Sequence, residues 1–368
     1  MSGKGMYKTR KEGDFPKEIS INFGGTTHTF VELRWAIRPE TGKDPVSMGL
    51  RYGDNPHQAA AVYVPKGIAT LISDMEFLKW AKNGPSTTNI EDLVNGYKIV
   101  SNSKLGTRGV AVMKHLNPSG VARRGGGESF TEVFRKAWNA DPQAAFGSVV
   151  VTDMAIDLEG AREMTNGKFI EVICASAVSD EALEIFNSKE NLRVIQISEL
   201  GIGALGYTSN LPNIKILVDG SVVVQERYLD DISGVHQLLG MDIPTKRKPT
   251  MTEAGDLIDA WSLMGSVRSN GVVIWKDRAT LAVGTGQQDR VTAIELAVAK
   301  AIKYGHDLNG AVLASDGFFP NEDNVRALKG ISAVIQPGGS IKDDKIVAAC
   351  DELNIALVRT WRRGFAHF

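Results

Sequence analysis

The sequence contains only two cysteines, Cys174 and Cys350, among 368 residues. Two thiols exclude a disulfide framework and indicate a reducing compartment. They also exclude the Cys-x-x-Cys pair that a zinc deaminase needs beside its third ligand. No run of about 18 apolar residues is present, so we expect no transmembrane helix. The basic N-terminus lacks a following apolar segment, and we expect no secretory signal there.

Charge of one sign is also lacking, because 42 Lys and Arg stand against 43 Asp and Glu, for a formal net charge of −1. A balanced chain has no general attraction to nucleic acid or to anionic membranes. With 43% hydrophobic and 23% charged residues, the composition is typical of a globular protein. We expect a cytoplasmic protein of about two to three domains, at roughly 150 residues each.

Short apolar runs alternate with amphipathic segments in the last third of the chain. Strands are predicted at 311–314, 333–335 and 355–358, with helices between them, which indicates an α/β fold. The first 46 residues are mostly polar and contain one predicted hairpin, Ile19–Phe23 with 28–33. The basic segment 246–249 is typical of a connection between domains, or of a solvated turn.

One stretch carries the strongest chemical signal. The apolar run Gly109–Met113 predicts a buried strand, followed by Lys114 and His115 and then by a predicted Asn-Pro-Ser-Gly turn. A cation beside an imidazole favours its neutral form, so His115 could accept a proton. Lys114 could then stabilise developing negative charge. The alternative is a strand-end histidine bonded to backbone beside a solvated lysine.

Polar ligands are suggested at two other places. The loop 50–58 contains Arg51 and Tyr52 followed by Asn, His and Gln, and an arginine grips phosphate with two bonds; the alternative is an ordinary surface loop. Glu171 is the one charge in the apolar run 169–175. It is either a strand-end residue facing solvent or an acceptor for a ligand hydroxyl or amine.

Two loops of the last third have similar ambiguity. Gly284-Thr285-Gly286 opens an amphipathic helix and offers N–H groups to an anion, although the third glycine of a dinucleotide fingerprint is missing. This helix is predicted to end at Gly305 and to have an apolar stripe formed by Ile294, Val298, Ala301 and Ile302. Phe318 and Phe319 could be exposed for stacking on a flat ring. Alternatively, they pin their loop into the core.

Taken together, six segments resemble the transformylase part of the bifunctional purine-biosynthesis protein, over roughly residues 48–368. The family transfers a formyl group from 10-formyltetrahydrofolate to 5-aminoimidazole-4-carboxamide ribonucleotide (AICAR). The six segments occur in the family's order, and they are Leu50–Gly53 with Asn55–Gln58, Lys114-His115 with Asn117–Gly120, Arg268–Asn270, Gly284–Gln287 with Arg290, Ser315–Pro320 with Asp323, and Gln336–Ser340.

The resemblance implies two cytidine-deaminase-like α/β domains and a homodimer with active sites at its interface. We assign residues 1–46 to an N-terminal extension, 47–198 to the first domain, 199–250 to a connecting region and 251–368 to the second domain. The family's cyclohydrolase domain is not matched. We therefore expect no ring closure to inosine monophosphate, and a separate cyclohydrolase as a partner in the pathway.

The resemblance also implies roles for individual residues. His115 matches the general base and Lys114 the transition-state stabiliser, and Asn270 is grouped with them as catalytic. The matches to AICAR-binding positions are Arg51, Tyr52, Asn89, Gly147, Glu171, Phe318 and Arg363. The matches to folate-binding positions are Arg290, Val291, Pro320, Asp323, Asn324, Ser340 and Ile341. No metal is expected at the reaction centre, whereas a monovalent cation such as potassium stays open.

The implied chemistry is formation of formyl-AICAR with 10-formyltetrahydrofolate as co-substrate. An amine on an electron-poor ring is a weak nucleophile, so a base must take its proton and a cation must stabilise the oxyanion. Ser119 replaces a common Cys, and Asn321-Glu322 replace a Phe-Arg pair beside the pterin-side loop. The second change leaves a different formyl donor for the same acceptor open as an alternative. A non-catalytic AICAR-binding relative is a separate alternative, and retention of both Lys114 and His115 argues against it.

Overall fold

A computed structural model describes residues 10–37, 46–197, 212–228, 230 and 232–368. Parts of the predicted extension and connecting region, namely 1–9, 38–45, 198–211, 229 and 231, lie outside the described residues.

Strands and helices alternate along much of the described chain. The strands are β1 (Glu18–Phe23), β2 (Thr26–Leu33), β3 (Trp35–Ile37), β4 (Val46–Met48), β5 (Val62–Pro65), β6 (Met75–Lys79), β7 (Gly109–Lys114), β8 (Asn117–Arg123), β9 (Ser148–Thr152), β10 (Ala155–Ile156), β11 (Ile170–Ala175), β12 (Ala177–Val178), β13 (Arg193–Ile197), β14 (Asn213–Ile216), β15 (Val222–Gln225), β16 (Val272–Lys276), β17 (Ala279–Gly284), β18 (Ala311–Ser315), β19 (Ile331–Gln336) and β20 (Ala356–Arg359). The helices are α1 (Thr87–Ser101), α2 (Phe130–Asn139), α3 (Leu158–Thr165), α4 (Asp180–Asn187), α5 (Val235–Leu239), α6 (Met251–Ser262), α7 (Arg290–Lys303), α8 (Asp323–Arg326) and α9 (Asp343–Glu352), with a 3₁₀ turn at Met264–Ser266.

The chain divides into two compact units, each discontinuous in sequence. The first unit consists of Met1–Val94 and Met154–Arg227, and the second of Asn95–Asp153 and Tyr228–Phe368. The domains proposed from the sequence are contiguous, and their boundaries stay a prediction.

The first unit contains several small groups of strands. In one, β11 pairs in parallel with β13, and β13 pairs antiparallel with β6. In another, β2 lies between β1 and β5, both antiparallel to it. The β1–β2 hairpin is the one predicted around Gly24-Gly25, so that prediction is confirmed.

The second unit contains eight neighbouring strands in the order β20-β19-β18-β16-β17-β8-β7-β9. The three strands β18, β19 and β20 are parallel, and the other pairs are antiparallel. These strands and the helices between them confirm the predicted α/β class.

Both faces of this sheet are covered. Val272 and Ile274 share a buried cluster with residues of α7 and α9. Val273 and Trp275 are also fully buried, and alternation along a strand turns them to the opposite face, where α6 packs on β16 and β18. Burial on both faces explains why these strands are continuous apolar runs without a polar alternation.

Two glycines let helices approach the sheet closely. A Cβ added to Gly120 of β8 would lie 1.8 Å from the carbonyl oxygen of Ala137 in α2. A Cβ added to Gly284 of β17 would lie 2.1 Å from the carbonyl oxygen of Ala293 in α7. Since no side chain fits there, each glycine is required for packing of the helix on the strand.

The apolar stripe predicted for helix α7 included one residue too many. The helix predicted to end at Gly305 is confirmed as α7, and Ile294, Val298 and Ala301 are buried. Ile302, however, is 55% exposed. It lies eight residues after Ile294, which rotates it by about 80° around the helix axis.

Candidate active site

The Lys114–His115 pair lies at the turn of a hairpin. β7 ends at Lys114 and β8 begins at Asn117, so His115 and Leu116 alone form the loop. Their φ angles are 53° and 66°, and a type I′ turn requires positive φ at both central residues. The prediction of an Asn-Pro-Ser-Gly turn after the pair was wrong.

The residues Asn117–Gly120 form the start of strand β8 and not a turn, because β8 can accommodate them. Pro118 faces Met113 where the register of the two strands shifts, and an irregular position needs no hydrogen bond from proline. Ser119 is 8% exposed, and its Oγ donates to the carbonyl oxygen of Val112 at 3.1 Å. The Ser119 found in place of the family's common Cys is therefore satisfied inside the strand pair.

Two asparagine side chains hold the backbone of this turn. Asn95 of α1 donates from Nδ2 to the carbonyl oxygen of Leu116 at 2.6 Å. Asn117 donates to the carbonyl oxygen of His115 at 3.0 Å. Lys114 donates from Nζ to the carbonyl oxygen of Gly147 at 2.7 Å, while His115 is exposed. The structure thus joins the predicted residues Lys114 and Gly147, and it presents the imidazole on a fixed backbone.

Asn117 also connects the hairpin to two other predicted segments. Its Oδ1 accepts hydrogen bonds from the backbone N–H of Arg268 at 2.9 Å and from the Thr285 hydroxyl at 2.8 Å. The three segments around Lys114, Arg268 and Thr285 are far apart in sequence. One carboxamide oxygen therefore gathers them within the second unit.

Asn270 is held at both ends of its amide. Its Nδ2 donates to the carbonyl oxygen of Gln287 at 2.9 Å, and its Oδ1 accepts from Arg290 Nη2 at 2.6 Å. A side chain fixed in this way presents its amide in one orientation.

Arg290 owes its own position to Asp316. The two side chains form a buried ion pair, and Arg290 Nη1 also donates to the carbonyl oxygen of Gly271 at 3.1 Å. Burial lowers the pKa of Arg290, and the carboxylate of Asp316 offsets part of that effect. Arg290, matched to a folate position, is thus also the residue that orients Asn270.

The C-terminal segment is tied to the same aspartate. The backbone N–H of Gly364 donates to the carbonyl oxygen of Asp316 at 2.9 Å, and that of Ser269 donates to Ala366 at 3.0 Å. The guanidinium carbon of Arg363 lies 4.8 Å from the centre of the Phe365 ring. The segment with the exposed Arg363 therefore lies against the segments that carry Ser269 and Asp316.

The two phenylalanines of the 315–320 loop have different roles. Phe319 is fully buried, and its N–H donates to Gln336 Oε1 at 2.6 Å. Phe318 is 39% exposed. Each of the two alternatives left open by the sequence therefore holds for one ring: Phe319 pins the loop into the core, and Phe318 faces outward.

The positions matched to folate have different surroundings in the second unit. Val291 and Asp323 line one cavity of about 460 Å³ on the second unit, bounded by α7 and α8. Ser340 donates to the carbonyl oxygen of Pro320 at 3.4 Å, and Ile341 is fully exposed. Asn324 is fully buried, and neither atom of its amide has a hydrogen-bond partner among the described residues.

In the first unit, Arg51 and Tyr52 form a buried pair. Arg51 is 2% exposed and donates from Nη2 to the Tyr52 hydroxyl at 2.8 Å. Burial raises the pKa of the Tyr52 hydroxyl, so the neutral phenol is the form that accepts this bond. The Tyr52 hydroxyl therefore helps to fix the orientation of the Arg51 guanidinium, one of the predicted ligand-binding groups.

Glu171 gathers further residues around its carboxylate. Lys82 Nζ lies 3.4 Å from Glu171 Oε1, and Asn89 donates from Nδ2 to Oε2 at 3.3 Å. Arg193 donates to the backbone carbonyl of Glu171 at 3.1 Å. The structure brings the predicted residues Asn89 and Glu171 together, and the carboxylate is bound by protein side chains instead of facing solvent alone.

Positive charge exceeds negative charge in this group. Arg51, Lys82 and Arg193 surround a single carboxylate, that of Glu171. Burial, together with the charge of Arg51, lowers the pKa of Arg193 to about 10. Desolvated cations favour an anion nearby. The group is suited to a phosphate.

Lys82 and Arg193 were not predicted from the sequence. Lys82 and Asn83 are two successive residues with positive φ. Asn83-Gly84-Pro85 does signal a turn, but no local pattern shows that the Lys82 side chain reaches Glu171. Arg193 begins the apolar strand β13 and is fully buried. An arginine at the start of a buried strand was the available signal, because a buried guanidinium requires acceptors.

Among the residues that the structure describes, no three or more His, Cys, Asp and Glu side chains are grouped as metal ligands would be. No helix in the same ranges has the length and apolar character to cross a membrane.

A family model and individual relatives place this chain in the same protein family. A family model described as "AICARFT/IMPCHase bienzyme" matches residues 33–300. The "Bifunctional purine biosynthesis protein PurH" of Nostoc punctiforme is 36% identical over 326 residues, which cover 86% of this chain and 58% of that protein. The proteins of the same name from Aquifex aeolicus and Parasynechococcus marenigrum are 37% and 39% identical, over 86% and 88% of this chain. This chain spans 58–60% of the length of these relatives.

Proposed function

This chain belongs to the AICARFT/IMPCHase bienzyme family, and we propose that it transfers the formyl group of 10-formyltetrahydrofolate to the 5-amino group of AICAR. The observation that carries the proposal is the fixed Lys114–His115 turn within a chain of this family. In this turn the proposed base, His115, directly follows the proposed oxyanion stabiliser, Lys114.

His115 is proposed as the general base. Its backbone is held in the turn through the bonds of Asn95 and Asn117 to Leu116 and His115. Its side chain is exposed and can therefore reach a substrate. As the amine attacks the formyl carbon, the imidazole takes the amine proton, and the new carbon–nitrogen bond gives a tetrahedral oxyanion. When this intermediate collapses, the bond from the formyl carbon to N10 of the folate breaks. N10 takes the proton from the imidazolium, which releases tetrahydrofolate and restores the base.

Lys114 is proposed to stabilise the tetrahedral oxyanion. A lysine ammonium has three N–H donors, and Gly147 accepts one of them at 2.7 Å. This bond fixes the ammonium before the substrate arrives, so little reorganisation is needed when negative charge develops. Asn270, held by Gln287 and Arg290, is proposed as a further contact to the reacting groups.

The first unit is proposed to bind the polar parts of AICAR. The excess positive charge of Arg51, Lys82 and Arg193 is suited to the ribonucleotide phosphate. Glu171 and Asn89 offer acceptors and donors for the ribose hydroxyls or the carboxamide. The resemblance also supports Arg363 as a proposed phosphate contact and Phe318 as a proposed stacking residue.

The folate side is proposed at Arg290, Val291, Pro320, Asp323, Asn324, Ser340 and Ile341. Asn321 and Glu322 lie directly before α8, and Asn321 Oδ1 accepts from the backbone N–H of Asp323 at 3.2 Å. Because these two residues adjoin the proposed donor site, a modified folate is the second candidate donor for the same acceptor.

The homodimer, a bound potassium ion, a separate cyclohydrolase and a cytoplasmic location also stay proposals. Light scattering of the purified chain tests the dimer. A comparison of potassium with sodium chloride in the assay tests the cation.

The central experiment incubates the purified chain with AICAR and 10-formyltetrahydrofolate and follows tetrahydrofolate release by absorbance. Chromatography then identifies the nucleotide product. Formyl-AICAR as product supports the proposal, and inosine monophosphate would contradict the expectation of a separate cyclohydrolase. Binding of AICAR without turnover, with activity restored by another formyl donor, would favour the second candidate. Absence of both binding and turnover would overturn the proposal.

A further inference from the structure

Trp361 carries a large aromatic side chain that is exposed and yet fixed. The residue is 59% exposed, and its φ angle is 56°. A left-handed conformation is a clear outlier for a bulky residue. Such conformations persist where surrounding groups hold the backbone, and they are frequent at ligand-binding sites. Trp361 is therefore a candidate ligand contact, and no step of the proposed transfer uses it.

Three groups hold Trp361 in place. Its indole Nε1 donates to Asp242 Oδ2 at 3.1 Å, and the same oxygen accepts from Arg359 Nε at 2.9 Å. The guanidinium carbon of Arg359 lies 4.9 Å from the centre of the indole ring. The backbone N–H of Trp361 donates to the carbonyl oxygen of Pro337 at 2.7 Å. The exposed part of the ring is thus presented in one orientation.

Arg359 also connects Trp361 to the loop that carries Ser340. Its Nη1 lies 3.4 Å from Asp343 Oδ2. Asp343 in turn accepts the backbone N–H groups of Gly339 and Ser340, at 2.9 and 3.1 Å. The indole ring and the backbone of Ser340 therefore belong to one connected set of contacts. Since Ser340 is a proposed folate position, this set joins Trp361 to the donor side of the proposed site.

The order of the strands places Trp361 at one end of this donor side. The parallel strands lie in the order β20-β19-β18, and ligands of such sheets bind beyond the carboxyl ends of the strands. Asn321 and Glu322 follow β18, Ser340 follows β19 and Trp361 follows β20. Neighbouring strands are about 4.8 Å apart, so roughly 10 Å separate the outer two. A folate with its pterin after β18 would extend its p-aminobenzoyl ring towards β20.

The proposed folate side otherwise lacks an aromatic contact. None of the seven residues proposed for it is aromatic, whereas a folate has two flat ring systems. Tryptophan offers a large flat surface, and offset stacking of aromatic rings is favourable. We propose, on the basis of the proposed function, that Trp361 stacks on the p-aminobenzoyl ring of the formyl donor and thereby contributes to recognition of a folate.

Isothermal titration calorimetry of the full chain with 5-formyltetrahydrofolate, a stable folate with the same p-aminobenzoyl group, tests the contact. Trp361→Gly removes the ring, and glycine adopts the positive φ without strain. Trp361→Phe keeps a ring. Asn354→Gly is the matched control, because Asn354 has a φ of 55° and its replacement frees the backbone without removing a ring. Circular dichroism verifies folding, and light scattering gives the molar mass of each variant.

We expect 5-formyltetrahydrofolate to bind about tenfold more weakly to Trp361→Gly, and with an affinity within about threefold of the unaltered one to Trp361→Phe. Asn354→Gly should bind it as the unaltered chain does. In the transformylase assay, Trp361→Gly should raise the KM for 10-formyltetrahydrofolate about tenfold, with kcat and the KM for AICAR nearly unchanged.

Three results for Trp361→Gly would overturn the inference: folate affinity equal to that of the unaltered chain, an equal loss of AICAR affinity, or a changed molar mass. The second would mean that the ring only supports the segment, and the third would place it between copies of the chain. Absence of folate binding by the unaltered chain would overturn the folate-dependent function together with this contact. Failure of the contact alone is thus distinguishable from failure of the proposed function.

Discussion

Asn95 donates from its side-chain amide to the backbone carbonyl of Leu116 at 2.6 Å. Through this bond, helix α1 holds the turn that carries His115. We expect Asn95→Ala to lower kcat about tenfold to a hundredfold, since small displacements of a catalytic group are costly, with little change in the KM for AICAR. Asn102→Ala is the control, because it removes a comparable bond to the carbonyl oxygen of Ser262. Equal kinetics in both variants would remove Asn95 from the positioning of the turn.

His115→Asn separates the proposed base from the shape of the turn. Asparagine tolerates the left-handed conformation that His115 adopts, so the hairpin should persist. We expect turnover to fall by about 10²- to 10⁴-fold, the range for loss of a general base, while AICAR binding measured by calorimetry is retained. His236→Asn, at another exposed histidine, should leave turnover unchanged. Wild-type turnover in His115→Asn would show that another group takes the proton.

Lys82→Met tests the phosphate role of the first unit. Methionine retains much of the side-chain length but removes a charge near Glu171. We expect the KM for AICAR to rise about tenfold, or about 1.4 kcal/mol, with kcat nearly unchanged. The dependence of KM on salt concentration should weaken as well. Lys66→Met serves as the control, since Lys66 pairs with Glu18 on the exposed β-hairpin; a similar effect there would indicate general electrostatics.

Gly120→Ala tests the close packing of α2 on β8. The new Cβ would lie 1.8 Å from the Ala137 carbonyl oxygen, and backbone would have to shift. We expect a loss of about 1–3 kcal/mol or more in the free energy of unfolding, measured by urea denaturation. Gly126→Ala is the matched control, because nothing lies within 4 Å of its added Cβ. Equal stability of the two variants would mean that the contact relaxes readily.

Asp259 gives a pH dependence with a defined sign. Burial, partly offset by Arg123 and Arg278 and reinforced by Asp256, raises its pKa to about 6. Because the folded pKa lies above the ordinary value of 3.8, ionisation of Asp259 destabilises the fold as pH rises from 4 to 7. The free energy of unfolding of Asp259→Asn, minus that of the unaltered chain, should therefore increase over this interval. A difference that stays constant or decreases would contradict the raised pKa.

Local pattern in the sequence is enough to predict most strands and helices. The buried strands β7, β16 and β18 are uninterrupted apolar runs, and the capped start of α1 after Ser86 follows from side chains next to it. The family resemblance supplied the site residues. Two pairs of them are hydrogen-bonded in the structure: the Lys114 side chain to the Gly147 carbonyl oxygen, and the Asn89 side chain to the Glu171 carboxylate.

The α/β class, the order of most elements and the resemblance of the Lys114–His115 segment to a known family follow from the sequence alone. The three-dimensional structure was needed to show that His115 stands in a two-residue turn, that Phe319 is buried while Phe318 is exposed, and that Lys82 and Arg193 lie beside Glu171. Periodicity and caps depend on neighbours within a few residues. A buried guanidinium, or a glycine under a helix, is instead fixed by groups far away in the chain, and no local pattern records them.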